Sequence, residues 1–496
     1  LWWGHRIPVF YCEDCGWEDA CMDDVHECPK CHGHHIHQDE NVLDTWFSSQ
    51  LWTFATQGWP DHPEQMEGHH PTTALVTARD IIALWVARMV MSSLYFTHEI
   101  PFKDVVIYAT ILAKDGSRMS KSKGNGVNPM DLIAKYGADA MRFNLLTLVT
   151  NNQDVKFDAD IDKKTHELIG SPRTEQAKGF VTKIWNASRF VLMNMDGYTP
   201  GPAKAATPED AWMLSRLAKM VRATTDRLEA YELGDYAREL QSFFWGEVCD
   251  WYIELCKGRL LGGEGEERLQ VQRNLVYVID ASLRMLHPVM PFVTESVWDA
   301  MPASELDADG TGGYTEHAGR FLMMAPWPEP EALAGFVNDE AESTFDIARR
   351  LVAGVRSSRA RYKLSPKTDL EVVVRASGDA VEKLRGQAEF VKSVGRVSSL
   401  AVAADAEKPA ASVSFIEPDF EAFVVMGDLV DFAAEGKKLE KDLAKAEKEL
   451  AGTEKTLGNP GFLAKAAPEV VATKRERVAE LTVTIERLRA QLADLA

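Results

Sequence analysis

Two stretches of this 496-residue sequence carry residue types that could do chemistry. The first holds Cys12, Cys15, Cys28 and Cys31 in the pattern C-x2-C-x12-C-x2-C. Four thiolates in two paired turns match the tetrahedral all-sulfur site that zinc prefers. Gly16 and Pro29 suit such turns, and Cys21 falls between the pairs as a spare. His26, His32, His34, His35 and His37 crowd the same region, and any one is an alternative ligand, although the spacing favours the thiolates. The His-Gly-His-His run at 32–35 follows the last cysteine and reads as part of the metal turn. A closed four-thiolate site is structural, so no chemistry is expected at the metal. The second stretch is DGSRMSKSKGN, residues 115–125, with two lysines, an arginine and three serines between glycines. It suits neither a buried strand nor a helix, and by itself it reads as a solvated loop.

Elements that would position this loop lie on both sides of it. TALVTARDIIALWVARMVMSSLYF opens with a short apolar run and continues as a helix from about Asp80, with Ile81, Leu84, Trp85 and Arg88 at helical spacing. DVVIYATILA (104–113) is β-rich and predicts a buried strand. Asn128-Pro129 supplies an N-cap and first helical position for a helix ending at Gly137, and Asp139 is expected to cap the next helix. This α/β order puts the loop beyond a sheet edge, where such sheets bind ligands.

RMSKS (Arg118–Ser122), followed by Lys123-Gly124-Asn125, resembles the KMSKS loop of class I aminoacyl-tRNA synthetases, with arginine in the place of the first lysine. LWWGHRIPVFYC, NVLDTWFSS, DIIALWVARM, KYGADAMRF and KIWNASRFVL resemble valyl-tRNA synthetases, in family order and over the whole chain. Isoleucyl enzymes tend to another residue where this chain has His5, and they usually end in a zinc module where this chain ends in a helical hairpin. Leucyl enzymes differ further around Trp-Phe-Ser-Ser. The resemblance implies ATP-dependent valine activation, Mg2+ with the ATP, and transfer to tRNA(Val). It makes Lys121 the principal transition-state lysine, with Arg118, Ser120 and Ser122 positioning the loop. It sets Met119 and Asn125 beside Lys121 against ATP, so that the loop is a lid whose donors meet charge building on phosphate oxygens. Trp46, Ile81 and Trp85 would line a narrow apolar slot for valine, with Asp80 beside it. On the residues alone, both tryptophans read equally as core, and Asp80 as a helix cap. An apolar slot discriminates poorly against threonine, which the family answers with an editing domain. Neither that segment nor a HIGH box occurs in these residues. Both precede LWWGHRIP in the family, so the chain, which begins at Leu1, is expected to be a C-terminal portion unable to catalyse alone.

The resemblance and the patterning together predict a multidomain α/β plus all-α protein. Residues 1–164 form the second half of a Rossmann-like catalytic domain, with a zinc knuckle at 11–38. Residues 165–330 form a helical bundle, which the family uses to bind the anticodon. Its aromatic stripes (Phe243, Phe244, Trp251, Tyr252) read as core, and Cys249 and Cys256 as buried thiols. Residues 331–428 form a small α/β junction module, built from a helix near 340–358 and the runs LEVVVRA and SVSFI. Its basic stretch RSSRARYKLSPK (356–367) reads as a solvated loop in preference to an RNA contact. Residues 429–496 carry leucine heptads either side of Gly458-Asn459-Pro460-Gly461. They predict an antiparallel coiled coil, a tRNA-binding arm by resemblance.

The net charge of −20 argues against non-specific coating of nucleic acid, but not against local basic surfaces. No apolar run approaches the ~20 residues of a membrane span. Five of the seven cysteines cluster between Cys12 and Cys31, which points to a reducing, cytoplasmic setting. The expected protein is a monomer. Three rival readings remain: a non-catalytic tRNA-binding or assembly protein, an isoleucyl-type synthetase, and a zinc-dependent nucleic-acid binder.

Overall fold

The structure is a computed structural model. It describes residues 3–492 apart from 121–122, 151–153, 163, 166, 309–310, 312, 318, 458–473, 476, 479, 483, 487–488 and 490–491, and only the backbone at 428, 433, 435, 438 and 442. The chain forms two compact units that interleave in sequence. One comprises Leu1–Asn186, Ala223–Ser242 and Met285–Val297; the other comprises Ala187–Arg222, Phe243–Arg284 and Trp298–Ala496. Among the described residues, no helix is long and apolar enough to cross a membrane.

In the first unit, β1 (Val9–Cys12) lies between β2 (Glu18–Ala20) and β3 (Ile36–Gln38), antiparallel to both. Two short helices follow, α1 (Thr45–Ser49) and α2 (Trp52–Ala55). Then comes a β-α-β unit: β4 (Thr72–Ala78), α3 (Ala87–Phe96) and β5 (Phe102–Tyr108), with β5 parallel to β4. Leu75, Val86, Met89 and Phe102 form its core, with Trp85 and Val90 against them. The predicted helix from Asp80 is irregular where it begins. Arg79–Ile81 is a 3-10 turn and Ile82–Val86 a π turn before α3 proper.

The predicted strand at 104–113 divides into β5 and β6 (Ile111–Leu112), and it is not buried. Val105, Ile107 and Tyr108 are exposed, because β4 and β5 pair only with each other among the described residues. Parallel strands are ordinarily covered on both faces. Beyond the loop, α4 (Pro129–Tyr136) starts as predicted, its N-cap Asn128 accepting from Met130 N at 3.1 Å, and it stops at Gly137. α5 (Ala138–Leu148) follows. Asp139 does not cap its own helix. Its carboxylate is buried and accepts from the backbone N–H groups of Phe292 (3.2 Å) and Val293 (2.7 Å), so it caps a different helix in the same unit. Short strands β7 (Val155–Lys156), parallel to β6, and the antiparallel pair β8 (Asp160–Ile161) and β9 (Leu168–Gly170) complete this stretch.

The helical stretch runs through α6 (Pro172–Leu192), α7 (Pro208–Glu229), α8 (Leu233–Gln241), α9 (Ile253–Gly262), α10 (Gly265–Leu286), α11 (Pro291–Trp298) and α12 (Pro330–Leu333). Four of these start on proline, whose fixed φ and missing N–H suit the first turn. α11 is the helix that Asp139 caps. The segment Ser242–Tyr252, between α8 and α9, is a π-helix. Phe243, Phe244, Trp251, Tyr252, Cys249 and Cys256 are all buried, as their pattern predicts.

In the second unit, α13 (Asp339–Arg361) is capped by Asn338, which accepts from Ala341 N at 2.9 Å. It packs on a four-stranded sheet and on α14 (Asp379–Gly386) and α15 (Ala388–Gly395). The sheet order is β11-β10-β13-β12: β10 (Leu370–Ala376), β11 (Val397–Ala403), β12 (Ser412–Glu417) and β13 (Phe420–Val425). A Cβ at Gly354 would meet Phe415 at 2.1 Å, so only glycine lets the helix approach that ring. The predicted loop at 356–367 is not one at its start: residues 356–361 are the last turns of α13, and Arg359 is buried. The last helix is α16 (Phe432–Leu457), with helical segments again between 474 and 492. Leu439, Ala446, Leu481 and Ile485 form a seam there, flanked by Leu443, Leu450 and Leu492. Arg477 pairs with Glu449 at 2.9 Å. The Gly458–Gly461 breaker lies outside the described residues.

Candidate active site and thiolate cluster

The loop at 115–125 begins as a tight hairpin off β6. Ala113 N donates to Ser117 O at 2.9 Å and Gly116 N to Ala113 O at 2.8 Å. Gly116 has φ +84, and a Cβ there would press on Lys156. The Asp115 carboxylate accepts from Ser117 N at 2.8 Å, a bond that lowers its pKa. Arg118 bridges back to Leu112. Asn125 then ties the far end of the loop to the near end. It accepts from Ser120 N at 2.9 Å and donates to Ser117 Oγ at 3.0 Å and Arg118 O at 3.2 Å. Met119 is half-buried inside this fold-back. Lys121 and Ser122 lie outside the described residues. A cleft of about 450 Å³ opens beside the loop, lined by Lys114, Asp115, Lys123 and Asn125 together with Phe157, Ala159, Asp160, Ile161 and Asp162. Lys114 reaches across to Asp160 at 2.5 Å.

Of the predicted pocket residues, Trp46, Ile81 and Trp85 are half-buried. Trp85 lies in the π turn and donates from Nε1 to Ser49 O at 3.0 Å, which draws the element carrying Trp46 to the one carrying Trp85. Neither tryptophan is wholly core. Asp80 is not a helix cap: its side chain accepts from Arg118 Nη2 at 2.7 Å. This ion pair joins the loop to the turn bearing Ile81. It was not legible in the sequence, where the two residues are 38 apart. A second pair ties the same region: Arg79 meets Asp154 at 3.2 Å, and Asp154 accepts from Thr110 N.

The four predicted cysteine sulfurs all lie within 4.8 Å of one another. Cys12–Cys31 and Cys15–Cys28 are each 3.6 Å apart, close to the ~3.8 Å edge of a tetrahedron built on 2.3 Å zinc–sulfur bonds. Paired turns form the site: Gly16 N donates to Cys12 O and His32 N to Cys28 O. Lys30 N donates to Cys28 Sγ at 3.4 Å. Burial opposes ionisation of Cys28, but the N–H groups of Cys31 and Lys30 bring its thiol down to about 7. Cys21 stays outside the cluster. Three of the five histidines turn to carboxylates instead, His32 to Glu27, His35 to Asp14 and His37 to Glu13, while His34 Nδ1 meets His26 O at 3.2 Å. The donor set therefore fits zinc without them.

Three family models match successive parts of the chain. Residues 1–158 match class I tRNA synthetases of the isoleucyl, leucyl, methionyl and valyl group, residues 210–374 the anticodon-binding domain of tRNA ligases, and residues 431–496 the valyl-tRNA synthetase tRNA-binding arm. A LeuRS from Agrobacterium radiobacter K84, solved in a tRNA–LeuAMS ternary complex, shares the fold with a TM-score of 0.51 at 16% identity, over 68% of this chain and 43% of that one. The chain thus belongs to the class I aminoacyl-tRNA synthetases. Within that class it belongs to the valyl-tRNA synthetase family. It is 40% identical to the valine–tRNA ligase of Thermotoga maritima over its whole length, and 39% identical to that of Carboxydothermus hydrogenoformans over 96% of its length. It spans about half the length of the curated relatives it matches, 53% and 51% for these two.

Proposed function

We propose that this chain is part of a valine–tRNA ligase, which activates valine with ATP and transfers it to tRNA(Val). The observation that carries the reading is the loop at 115–125, stapled by Asn125 and joined through Arg118 to Asp80 beside the Trp46–Ile81–Trp85 elements. A cationic loop tied to an apolar slot suits a reaction that joins an amino acid to a nucleotide. In this reading Lys121 meets the charge that builds on the ATP phosphates as pyrophosphate leaves. Ser120, Ser122 and Met119 shape the loop around the nucleotide, and Mg2+ arrives with ATP. Asn125 holds the loop ends together, so little reorganisation is left for the chemical step. Trp46 and Trp85 flank the valine side chain, Ile81 limits its length, and Asp80 supplies a carboxylate that the substrate ammonium can share with Arg118. Cys12, Cys15, Cys28 and Cys31 hold a structural zinc that fixes the β1–β3 sheet. The helical stretch and the 429–496 arm, read as an antiparallel coiled coil, bind tRNA(Val), and the ligase works in the cytoplasm as a monomer.

The test is pyrophosphate exchange in the complete enzyme. Lys121→Ala should slow valyl-adenylate formation by roughly two to three powers of ten, the scale for one lost transition-state donor, while valine binding stays near wild type. An unchanged exchange rate would remove Lys121 from catalysis. Absence of valine-dependent exchange in the wild type would favour the non-catalytic tRNA-binding alternative.

A further inference from the structure

The stretch RSSRARYKLSPK holds five basic residues and no acidic one, in a chain of net charge −20. Its first half folds as the end of α13 and places two of its arginines on a cavity of about 330 Å³. Arg356, Arg359 and Arg396 line this cavity with the apolar surface of Ala360, Leu364 and Val394. Among the described residues, no carboxylate lines it. Two of the guanidiniums are partly used: Arg359 Nη2 donates to Gly395 O at 3.0 Å and Arg396 O at 3.1 Å, and Arg356 Nη2 donates to Val394 O at 3.1 Å. These bonds complete the C-terminal carbonyls of α15 and would alone explain one arginine.

They do not explain three. Arg359 is 6% exposed, and its Nε–H has no hydrogen-bond acceptor among the described residues. A buried donor without an acceptor carries its full desolvation cost; with Nη2 spent on the two carbonyls, the Nε–H is the Arg359 donor left for an oxyanion. Burial first, and then the like charges of Arg356 and Arg396, push the Arg359 pKa down, with Asp369 acting against them. Arg356 is braced over the Trp251 ring at 5.2 Å, and Arg396 sits at the end of α15 with φ +50. Both are exposed at the cavity mouth.

We propose that Arg356, Arg359 and Arg396 form a phosphate pocket that receives one phosphodiester of an RNA backbone. The inference rests on the tRNA-ligase reading above, and it assigns a particular anion site within that partner's footprint. A free phosphate would satisfy the same three groups. The backbone of an RNA is favoured because the basic run continues through exposed Arg361, Lys363 and Lys367, which a longer polyanion can follow. Such a contact positions RNA without reading its sequence.

The experiment measures tRNA(Val) binding by the intact protein across a salt series. Wild type is compared with Arg356→Gln/Arg396→Gln, which leaves the buried Arg359 in place. The variant should bind more weakly, and the slope of log affinity against log salt should fall by about one to two. In parallel, the Arg359 Nε–H resonance of arginine-labelled protein is titrated with inorganic phosphate. A saturable shift is expected in the wild type, at the resonance that Arg359→Lys assigns by its disappearance, with circular dichroism confirming that this variant folds. Equal affinity and slope in wild type and double variant would overturn the RNA contact even if phosphate shifts the resonance, and would leave the ligase reading intact. No shift with phosphate would overturn the pocket. Failure of the wild type to bind tRNA at all would strike the parent reading and this inference together.

Discussion

Two regions of the molecule use ion pairs in opposite ways. Around the loop, the pairs face solvent: Arg118 is 69% exposed and its partner Asp80 46%, and Lys114–Asp160 is similarly open. In the helical stretch of the second unit, a network of charges is sealed in. Arg284 and Asp280 are 2% and 0% exposed, and the same guanidinium meets Asp307 at 2.7 Å. Asp280 also accepts from Trp298 Nε1 at 2.9 Å and from Ser304 Oγ, while Asp307 accepts from His317 and from Ser304 N. Arg259, Asp210 and Tyr252 make a smaller network of the same kind. Exposed pairs gain about 0.2–1 kcal/mol, so they form and part easily. Buried ones gain little over an apolar core, but breaking one leaves an uncompensated charge. The loop region therefore has contacts that a substrate can exchange, and the helical region has contacts that hold a scaffold.

That contrast is open to direct attack. The largest effect is expected at Asp280→Ala, which leaves Arg284 with Asp307 as its one remaining buried carboxylate and strands Trp298 Nε1 and Ser304 Oγ. It should destabilise the helical region by about 3–5 kcal/mol in denaturant unfolding; a loss below 1 kcal/mol would erase the distinction. Acid should act on the same network. Burial works against the Asp307 carboxylate, but the His317 hydrogen bond, Ser304 N–H and Arg284 hold its pKa down at about 2. A carboxylate depressed in the folded state contributes stability that is complete above its unfolded pKa, and that is lost as pH falls from about 4 through about 2. The melting temperature should drop across that window, and the drop should shrink in Asp307→Asn. An identical acid limb in that variant would assign the loss elsewhere.

Cys28→Ser should act locally. The protein should lose about one bound zinc per chain, and the β1–β3 sheet should become protease-sensitive while the helical region unfolds unchanged. Elemental analysis showing no zinc in wild-type protein purified without chelators would reject the site. The smallest effect is expected at Arg118→Gln. Stability should change by less than about 1 kcal/mol, because the pair it breaks is solvent-screened. A loss above 2 kcal/mol would move this pair into the structural class and sink the idea that the loop parts from Asp80 easily.

Local signals carried much of this architecture. Asn128-Pro129 and Gly137 bound α4 because capping and φ preferences act within a few residues. Each C-x-x-C turn gathers two cysteines because the turn is itself short-range, and the β1–β3 pairing then brings the two turns together. The leucine seam follows from a heptad that repeats along one helix face. What sequence alone left undecided depends on partners distant in the chain. Asp139 has the composition of a cap for its own helix, yet it caps α11, because only the folded unit brings the α11 N–H groups to it. The apolar run at 104–113 reads as buried, but burial needs a covering layer, and among the described residues β5 is covered at Phe102 while Val105, Ile107 and Tyr108 stay exposed. Arg118 and Asp80 are each ordinary polar residues until the fold sets them 2.7 Å apart. Arg359 lies in a basic run that composition assigns to solvent; packing of α13 against the end of α15 buries it and leaves its Nε–H without an acceptor. Propensity and spacing are properties of neighbouring residues, whereas burial, trans capping and charge pairing are set by which surfaces meet. The sequence by itself determined the limits of α4, the pairing of cysteines in short turns and the loop at 115–125; tertiary structure alone decided what those elements face.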